Sequence, residues 1–433
     1  MDKMRTDSNR QMVKLLLSTV TGNFGSGMLS FIIGLLILKN TDSALSFGIS
    51  QIIGPLVSLI LLPFTGSLVD KFDRKKIIVM AQCLSIVSLL IYALFLFFDG
   101  PEHLIYTYIL LIFLRISDQF LSTATIASVI NIVTEEHIQK VKSLQQSLVS
   151  LTLVVSPIAA AFLYDILPLA TIVLAEIGLE IVTILIILSI NFHFLSPEES
   201  SGQADTHEPE PGIFLLFKEG LTFIFTMKNL VFAVLFSMLI NFMLGAVNVG
   251  LPYMQINVLH FSNYVYGWTE ALISLGMILS GIVLSVSKES RYPLHRSWQM
   301  INVIGILLLV FGLLLSSGAE QIYAIIIVSV FNLLLGIVVT QANVPVSIWM
   351  TKQIPKHYQG RVFNIINTGA QLLAPLGILL FSVLFEYFDA FTIFIAAGAV
   401  MLAVTLLYPL LFRVNLKENI LSASGDTPLQ AGQ

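Results

Sequence analysis

Five ionisable residues sit inside long stretches of chain that are otherwise almost free of charge: Arg115, Asp118, Glu176, Glu180 and Glu270. At the centre of a bilayer each would cost on the order of 3 kcal/mol if unpaired, so each must face protein or water. Arg115 and Asp118 are three residues apart and share a helical face. Gln119, Ser122, Thr123 and Thr125 extend that face into a polar stripe. A stripe carrying a charge pair suits a helix that lines a water-filled cavity. There Asp118 could bind and release a proton with Arg115 tuning it, or the two could form a permanent brace. Glu176 and Glu180 are one turn apart. By helical rise, Glu180 and Arg115 each lie about 18 Å from the outer ends of their helices, so they could pair as structural partners. Glu270 is a second proton-site candidate, or a group reaching toward the membrane interface.

The elements that must position these residues are apolar runs. The chain has 433 residues, of which 56% are hydrophobic and only 11% charged, with a mean hydropathy of +0.89. A soluble domain carries about 25% charged residues, so most of this surface must meet lipid. A net charge of −4 gives no case for a nucleic-acid partner. The lone Cys83 excludes a disulfide framework within the chain. No cleavable signal pattern follows the polar start, so the first helix is the expected insertion signal. Apolar runs at 15–38, 44–68, 77–98, 104–133, 143–164, 167–191, 229–256, 263–287, 297–317, 321–350, 362–385 and 390–412 predict twelve spanning helices.

Charge supports that count. Of the 22 Lys and Arg residues, all but Lys39 and Arg115 fall on one side of a twelve-span topology, which places both termini in the cytoplasm. The expected organisation is a six-helix bundle over 1–191, a cytoplasmic linker over 192–228 with an interfacial helix at 213–226, a second six-helix bundle over 229–413, and a tail over 414–433. The halves repeat. Asn23-Phe24 matches Asn241-Phe242, His137-x-Gln139 matches His357-x-Gln359, and Phe162-Leu163-Tyr164-Asp165 matches Val383-Leu384-Phe385-Glu386, at a shared offset near half the chain length. Such a repeat implies two bundles related by an axis along the membrane normal.

A short charged stretch, Gly66-Ser67-Leu68-Val69-Asp70-Lys71-Phe72-Asp73-Arg74-Lys75-Lys76, links the second and third runs. It resembles the loop between the second and third helices of the major facilitator superfamily, whose pattern Gly66, Leu68, Asp70, Lys71, Arg74 and Lys75 match. Asp73 departs from it, standing where most members carry Gly. Phe72-Asp73-Arg74-Lys75, Gly360-Arg361-Val362-Phe363 and Pro375-Leu376-Gly377 resemble the macrolide-efflux branch. Thr152 to Ala161 around Pro157 is similar to the fifth-helix antiporter pattern, with Ser and Ala in place of its glycines.

The resemblance implies an all-α membrane fold with a central cavity lined by the first, fourth, seventh and tenth helices. It makes Gly66, Asp70, Arg74 and Pro157 gating residues and links the fourth-helix arginine to proton coupling. On those cavity helices Asn23, Gln119, Asn241, Gln341 and Asn343 become substrate contacts, although hydrogen bonds between helices would use the same groups. The implied activity is proton-coupled export of lipophilic drugs such as macrolides by alternating access. The expected setting is a multi-pass protein, monomeric, in a bacterial inner (plasma) membrane. Its partners are protons, membrane lipids and a small lipophilic substrate, with no cofactor and no metal. The same layout also houses lysophospholipid flippases and nutrient importers. No Gly-x-x-x-x-Gly-Lys-Ser/Thr loop offers ATP drive. An intramembrane enzyme would need a nucleophile with a base at depth.

Overall fold

The computed structural model of the chain describes residues 2–98, 104–192, 213–318, 320–355, 362–363, 365–366, 368–369 and 372–412. The expected tail, most of the linker and Arg361 lie outside them, as do the side chains of Asp70 and Lys218. The described chain is helical throughout. In order come α1 (Asp2–Thr41), α2 (Ala44–Lys71), α3 (Arg74–Phe98), α4 (Leu104–Ile132), α5 (Glu135–Ile166) and α6 (Leu169–Leu188). Then follow α7 (Ile213–Thr226), α8 (Lys228–Met243), α9 (Gly245–Tyr253), a π turn (Met254–Val258) and α10 (Asn263–Val286). The last are α11 (Pro293–Ser316), α12 (Gln321–Gln353), α13 (Ala374–Tyr387) and α14 (Ala390–Phe412).

Among the described residues, 11 helical segments are long and apolar enough to cross a membrane. The eleventh expected span, 362–385, is represented by the shorter α13 and by the helical residues described just before it. α1 and α5 both start well before their apolar runs. α1 begins at Asp2, where Ser8 Oγ meets His137 Nδ1 (3.3 Å) and Thr134 Oγ1 (3.4 Å) at the start of α5. The seventh run, read as one helix over 229–256, is broken instead. Leu244 interrupts it, and Leu259 N–H donates to the Met254 carbonyl, five residues back, at 2.8 Å.

Local caps explain the charged turn at 66–76. Phe72 N–H closes α2 on the Leu68 carbonyl at 3.0 Å. Asp73 Oδ1 then accepts from the N–H groups of Lys75 (2.8 Å) and Lys76 (3.2 Å), an N-cap for α3. Asp73 thus stands where glycine is usual because here the residue starts a helix. Arg74 Nη1 donates to the Ala127 carbonyl of α4 at 2.7 Å. Lys75 Nζ donates to the carbonyls of Leu188 (2.9 Å) and Ile190 (3.1 Å), and Lys14 Nζ to that of Ser189 (2.7 Å). Cations at the end of α6 satisfy its orphan carbonyls and complement its dipole.

By contact the chain forms two compact units that differ from the two sequence halves. The first unit is Met1–Pro209 with Val247–Ser274 and Ile378–Tyr387. In it α1 packs on α5, α6 and the π turn, α3 on α4 and α6, and α2 on α4. Met28, Ile32, Ala160 and Ile172 form one buried cluster, and Leu15, Ile78, Val129 and Ile187 belong to another. Val247–Ser274 joins this unit because its residues pack on α1 and α5, and Ile378–Tyr387 because its residues pack on α2.

The second unit is Glu210–Ala246 with Leu275–Gly377 and Phe388–Gln433. There α11 packs on α12 and α14, and α8 on α7 and α14. Contact between helices in lipid lacks a hydrophobic drive and relies on close packing at small residues. A Cβ added at Gly398 would lie 2.6 Å from the Leu309 nitrogen and 2.7 Å from the Gly305 carbonyl. Gly398→Val should therefore lower stability by about 1–3 kcal/mol through overpacking. Gly281→Ala, where nothing lies within 4 Å, should not. Thermal unfolding of the two purified variants in one detergent checks the contrast.

Candidate functional site

All five intramembrane charges expected to matter lie in the first unit, four of them on α4 and α6. Arg115 Nη1 and Asp118 Oδ2 are 3.4 Å apart on α4, with side chains 39% and 49% exposed. The arginine stem lies over α2, where a Cβ at Gly54 would be 3.4 Å from its Nε. Asp118 is within electrostatic reach of Glu176 and Glu180 on α6. Glu180 takes its partners from α3: Gln82 Nε2 donates to Oε2, and Ser85 Oγ donates to Oε1 at 3.0 Å. The expected pairing of Glu180 with Arg115 is replaced by these two bonds. Gln82 and Ser85 were the missing part of the sequence reading, and the one signal for them was polarity inside an uncharged run.

Glu176 is 1% exposed, and its Oε2 finds no partner among the described residues. It lies against the backbone of α1. A Cβ at Gly25 would be 2.5 Å from Oε2 and 2.7 Å from Oε1. The glycine is therefore a seat for the carboxylate. The same face of α1 takes Thr183, whose Oγ1 donates to Thr21 Oγ1 at 2.7 Å, and Ser156, whose Oγ donates to the Phe24 carbonyl at 3.2 Å. Among the described residues no three His, Cys, Asp or Glu side chains converge on a point where they could share a metal ion. Three carboxylates with one arginine in an apolar bundle can instead exchange protons.

Glu270 belongs to a separate network at the π turn. Gln255, fully buried, donates from Nε2 to Glu270 Oε1 at 3.0 Å and accepts at Oε1 from Thr269 Oγ1. One turn before Glu270, Gly267 packs on Pro157 of α5, where a Cβ would lie 2.7 Å from the proline carbonyl oxygen.

The second unit holds a cavity of about 530 Å³ lined by α8, α11, α12 and Phe363 and Ile366. That is within the range of drug-sized pockets, about 300–1,000 Å³. Among the described residues no charged side chain lines it; the polar lining is Ser237, Asn241, Ser297, Asn343 and Ser347. Two expected substrate contacts, Asn241 on α8 and Asn343 on α12, thus line it. Asn241 Nδ2 donates to the Ser237 carbonyl at 2.9 Å and Asn343 Nδ2 to that of Val339 at 3.0 Å. Asn23 makes the equivalent bond to Thr19 at 2.8 Å, so the matched asparagines of the two repeats hold their own helices identically. Gln341 instead accepts from Arg296 Nη2 of α11, and Gln119 accepts from Ser58 Oγ at 3.0 Å.

The sequence matches the Major Facilitator Superfamily over residues 15–377. The chain belongs to that family. Macrolide efflux protein A of Streptococcus pyogenes is 23% identical over 387 residues, covering 89% of this chain and 92% of that protein. The protein of that name from Enterococcus faecalis is 24% identical over 317 residues, covering 73% and 94%. The crystal structure of the nucleoside transporter NupG shares the fold, with a TM-score of 0.67 at 12% identity over 94% of this chain and 100% of that one. The family is one of transporters rather than enzymes, and the chain is a multi-pass membrane protein of that type.

The expected gating positions have distinct surroundings. Gly66 has open space around it, with nothing within 4 Å of an added Cβ. Arg74 is bound to α4. Of these positions Pro157 is the one met closely, by Gly267.

The Glu176 seat gives a direct test. Gly25→Ala should lower stability by about 1–3 kcal/mol by crowding the carboxylate. Gly22→Ala, whose Cβ would be 3.7 Å from Thr183 Cγ2, should be tolerated. Because residues in contact couple, Glu176→Ala should recover part of the Gly25→Ala loss in a double-mutant cycle of melting temperatures.

Proposed function

We propose that this chain is a proton-coupled exporter of lipophilic compounds, working by alternating access in a cell membrane with both termini cytoplasmic. The observation that carries the reading is the group of three carboxylates in the first unit, in which Asp118, paired with Arg115, lies within electrostatic reach of Glu176 and Glu180. Ion pairs and hydrogen bonds offset the desolvation of Asp118 and Glu180, while Glu176 keeps one oxygen without a partner. A proton on that oxygen removes the cost of a bare carboxylate in low dielectric. Proton binding at Asp118 likewise releases Arg115 from its one partner on the same helix. Each event changes the charge that α4 and α6 carry against α1 and α3, which is how a proton would bias a packed helix pair.

The substrate class follows from the second unit. Its cavity of about 530 Å³ has, among the described residues, no charged lining, and sets amide and hydroxyl groups beside aromatic and aliphatic ones. That lining favours a lipophilic molecule with a few polar groups. The relatives named for macrolide efflux support the export direction and the drug class. Gln255 and Glu270, at a helix break, form the second place where a proton would act.

The test is proton movement in energised inside-out vesicles, followed with a pH-sensitive dye while macrolides, lipophilic cations and lysolipids are added. Compound-triggered proton release is expected, and Asp118→Asn should reduce it to the level of vesicles lacking the protein. A folded protein that releases no proton with any compound sinks the exporter reading. Movement of lysolipid without proton release would make it a flippase of the same fold.

A further inference from the structure

Two carboxylates occupy matching places in the two sequence repeats. Asp165 closes Phe162-Leu163-Tyr164-Asp165 near the end of α5, and Glu386 closes Val383-Leu384-Phe385-Glu386 near the end of α13. Each reaches the start of a helix from the opposite repeat. Glu386 Oε2 accepts from Ser43 Oγ at 2.9 Å and from Leu45 N–H at 3.1 Å, in the first turn of α2. Asp165 Oδ1 accepts from Asn263 Nδ2 at the first residue of α10. α2 and α10 are the second spanning helices of their repeats, so the exchange is reciprocal. A carboxylate at a helix N-terminus also meets the positive end of the helix dipole. Asn263 is only 6% exposed, which shields its bond from water.

The surroundings repeat in the same way. The first helix of each repeat is followed by a non-glycine residue in the left-handed region, Asp42 (φ +54) and His260 (φ +51), and these too are matching positions. Asn257 Nδ2 donates to Asp42 Oδ1 and to the Leu38 carbonyl at 3.0 Å. Phe31 stacks on Tyr266 with ring centroids 4.7 Å apart, and Gly48 leaves room for Ser382. All these residues lie within the first unit, at the end of its helices remote from the amino terminus.

We propose that Asp165 and Glu386 are a matched pair of latches that hold this end of the first unit together. Each carboxylate ties its own repeat to the first turn of the opposite repeat's second helix. Because the contacts are reciprocal, a rotation of one repeat against the other breaks both at once. Opening at this end then breaks both latches together, with no partly latched state. The inference holds whatever the substrate, and it does not rest on proton coupling.

The test uses the full chain in lipid nanodiscs with exposed Cys83 replaced by Ser. Spin labels at the exposed positions Ile105 and Tyr387 report on one latch, and labels at Thr171 and Tyr264 on the other. Pulsed electron paramagnetic resonance reads both distances with no compound or pH gradient. Glu386→Ala or Asp165→Ala should raise the long-distance population roughly tenfold, the shift that about 1.4 kcal/mol produces. Both label pairs should report it together, and the double variant should exceed either single one. Ser43→Ala, which removes one bond and leaves the carboxylate in place, should move both distances in the same direction by less. It decides the matter if the alanine variants do not fold. Unchanged distances in the double variant, or in Ser43→Ala where that variant decides, would overturn the proposal. So would one label pair moving while the other stays.

Discussion

Hydrocarbon does not solvate a carboxylate, and the arrangement of this protein follows from how each charged group is relieved of that burden. Glu180 takes two donors from α3, Asp118 takes Arg115, and Glu176 is pressed against a backbone that lacks a Cβ at Gly25. Near the amino terminus of α1 the cations do similar work on backbone groups. Lys14 and Lys75 meet carbonyls that the end of α6 would otherwise leave bare, and Arg74 meets the Ala127 carbonyl in the last turns of α4. Charge therefore marks two kinds of place in the chain: helix ends, where it completes hydrogen bonding, and a few interior sites, where it is held against a cost.

The broad plan was legible in the sequence because it depends on one-dimensional quantities. Apolar run length, the distribution of Lys and Arg, and a near-constant repeat offset need no knowledge of contacts. What escaped depends on how helices cross. Glu180 and Arg115 lie at similar depth by helical rise, yet the crossing of α3 over α6 brings Gln82 and Ser85 to the glutamate first. Gln341 sits on an expected cavity helix, but α11 delivers Arg296 to it. The early start of α1 also escaped, since Ser8, Thr134 and His137 stabilise it through hydrogen bonds that hydropathy does not record. Asp73 is the reverse case. Its departure from the family pattern is explained by Lys75 and Lys76, whose N–H groups it caps.

Small residues set which helices can approach. Gly305, Gly312 and Gly398 bring α11 and α14 within backbone contact, and Gly276 does the same for α10 against Leu333 of α12. Gly377 similarly admits the backbone of Phe242. These positions fix the second unit by shape, while the polar seats in the first unit fix it by chemistry. A shape-fixed bundle can surround an uncharged cavity without any ionic partner, which is what lines the space near Asn241 and Asn343.

The π turn at Met254–Val258 has a mechanical meaning of its own. It accommodates one residue more than an α-turn would, so everything beyond it is offset by about 100° of rotation relative to regular winding. In that overwide winding Gln255 faces Glu270. Rewinding the turn to the regular pitch would swing the amide round the helix axis while the rest of α9 stayed in place. The bond that Glu270 receives is thus set by the winding of a neighbouring segment as well as by its own helix.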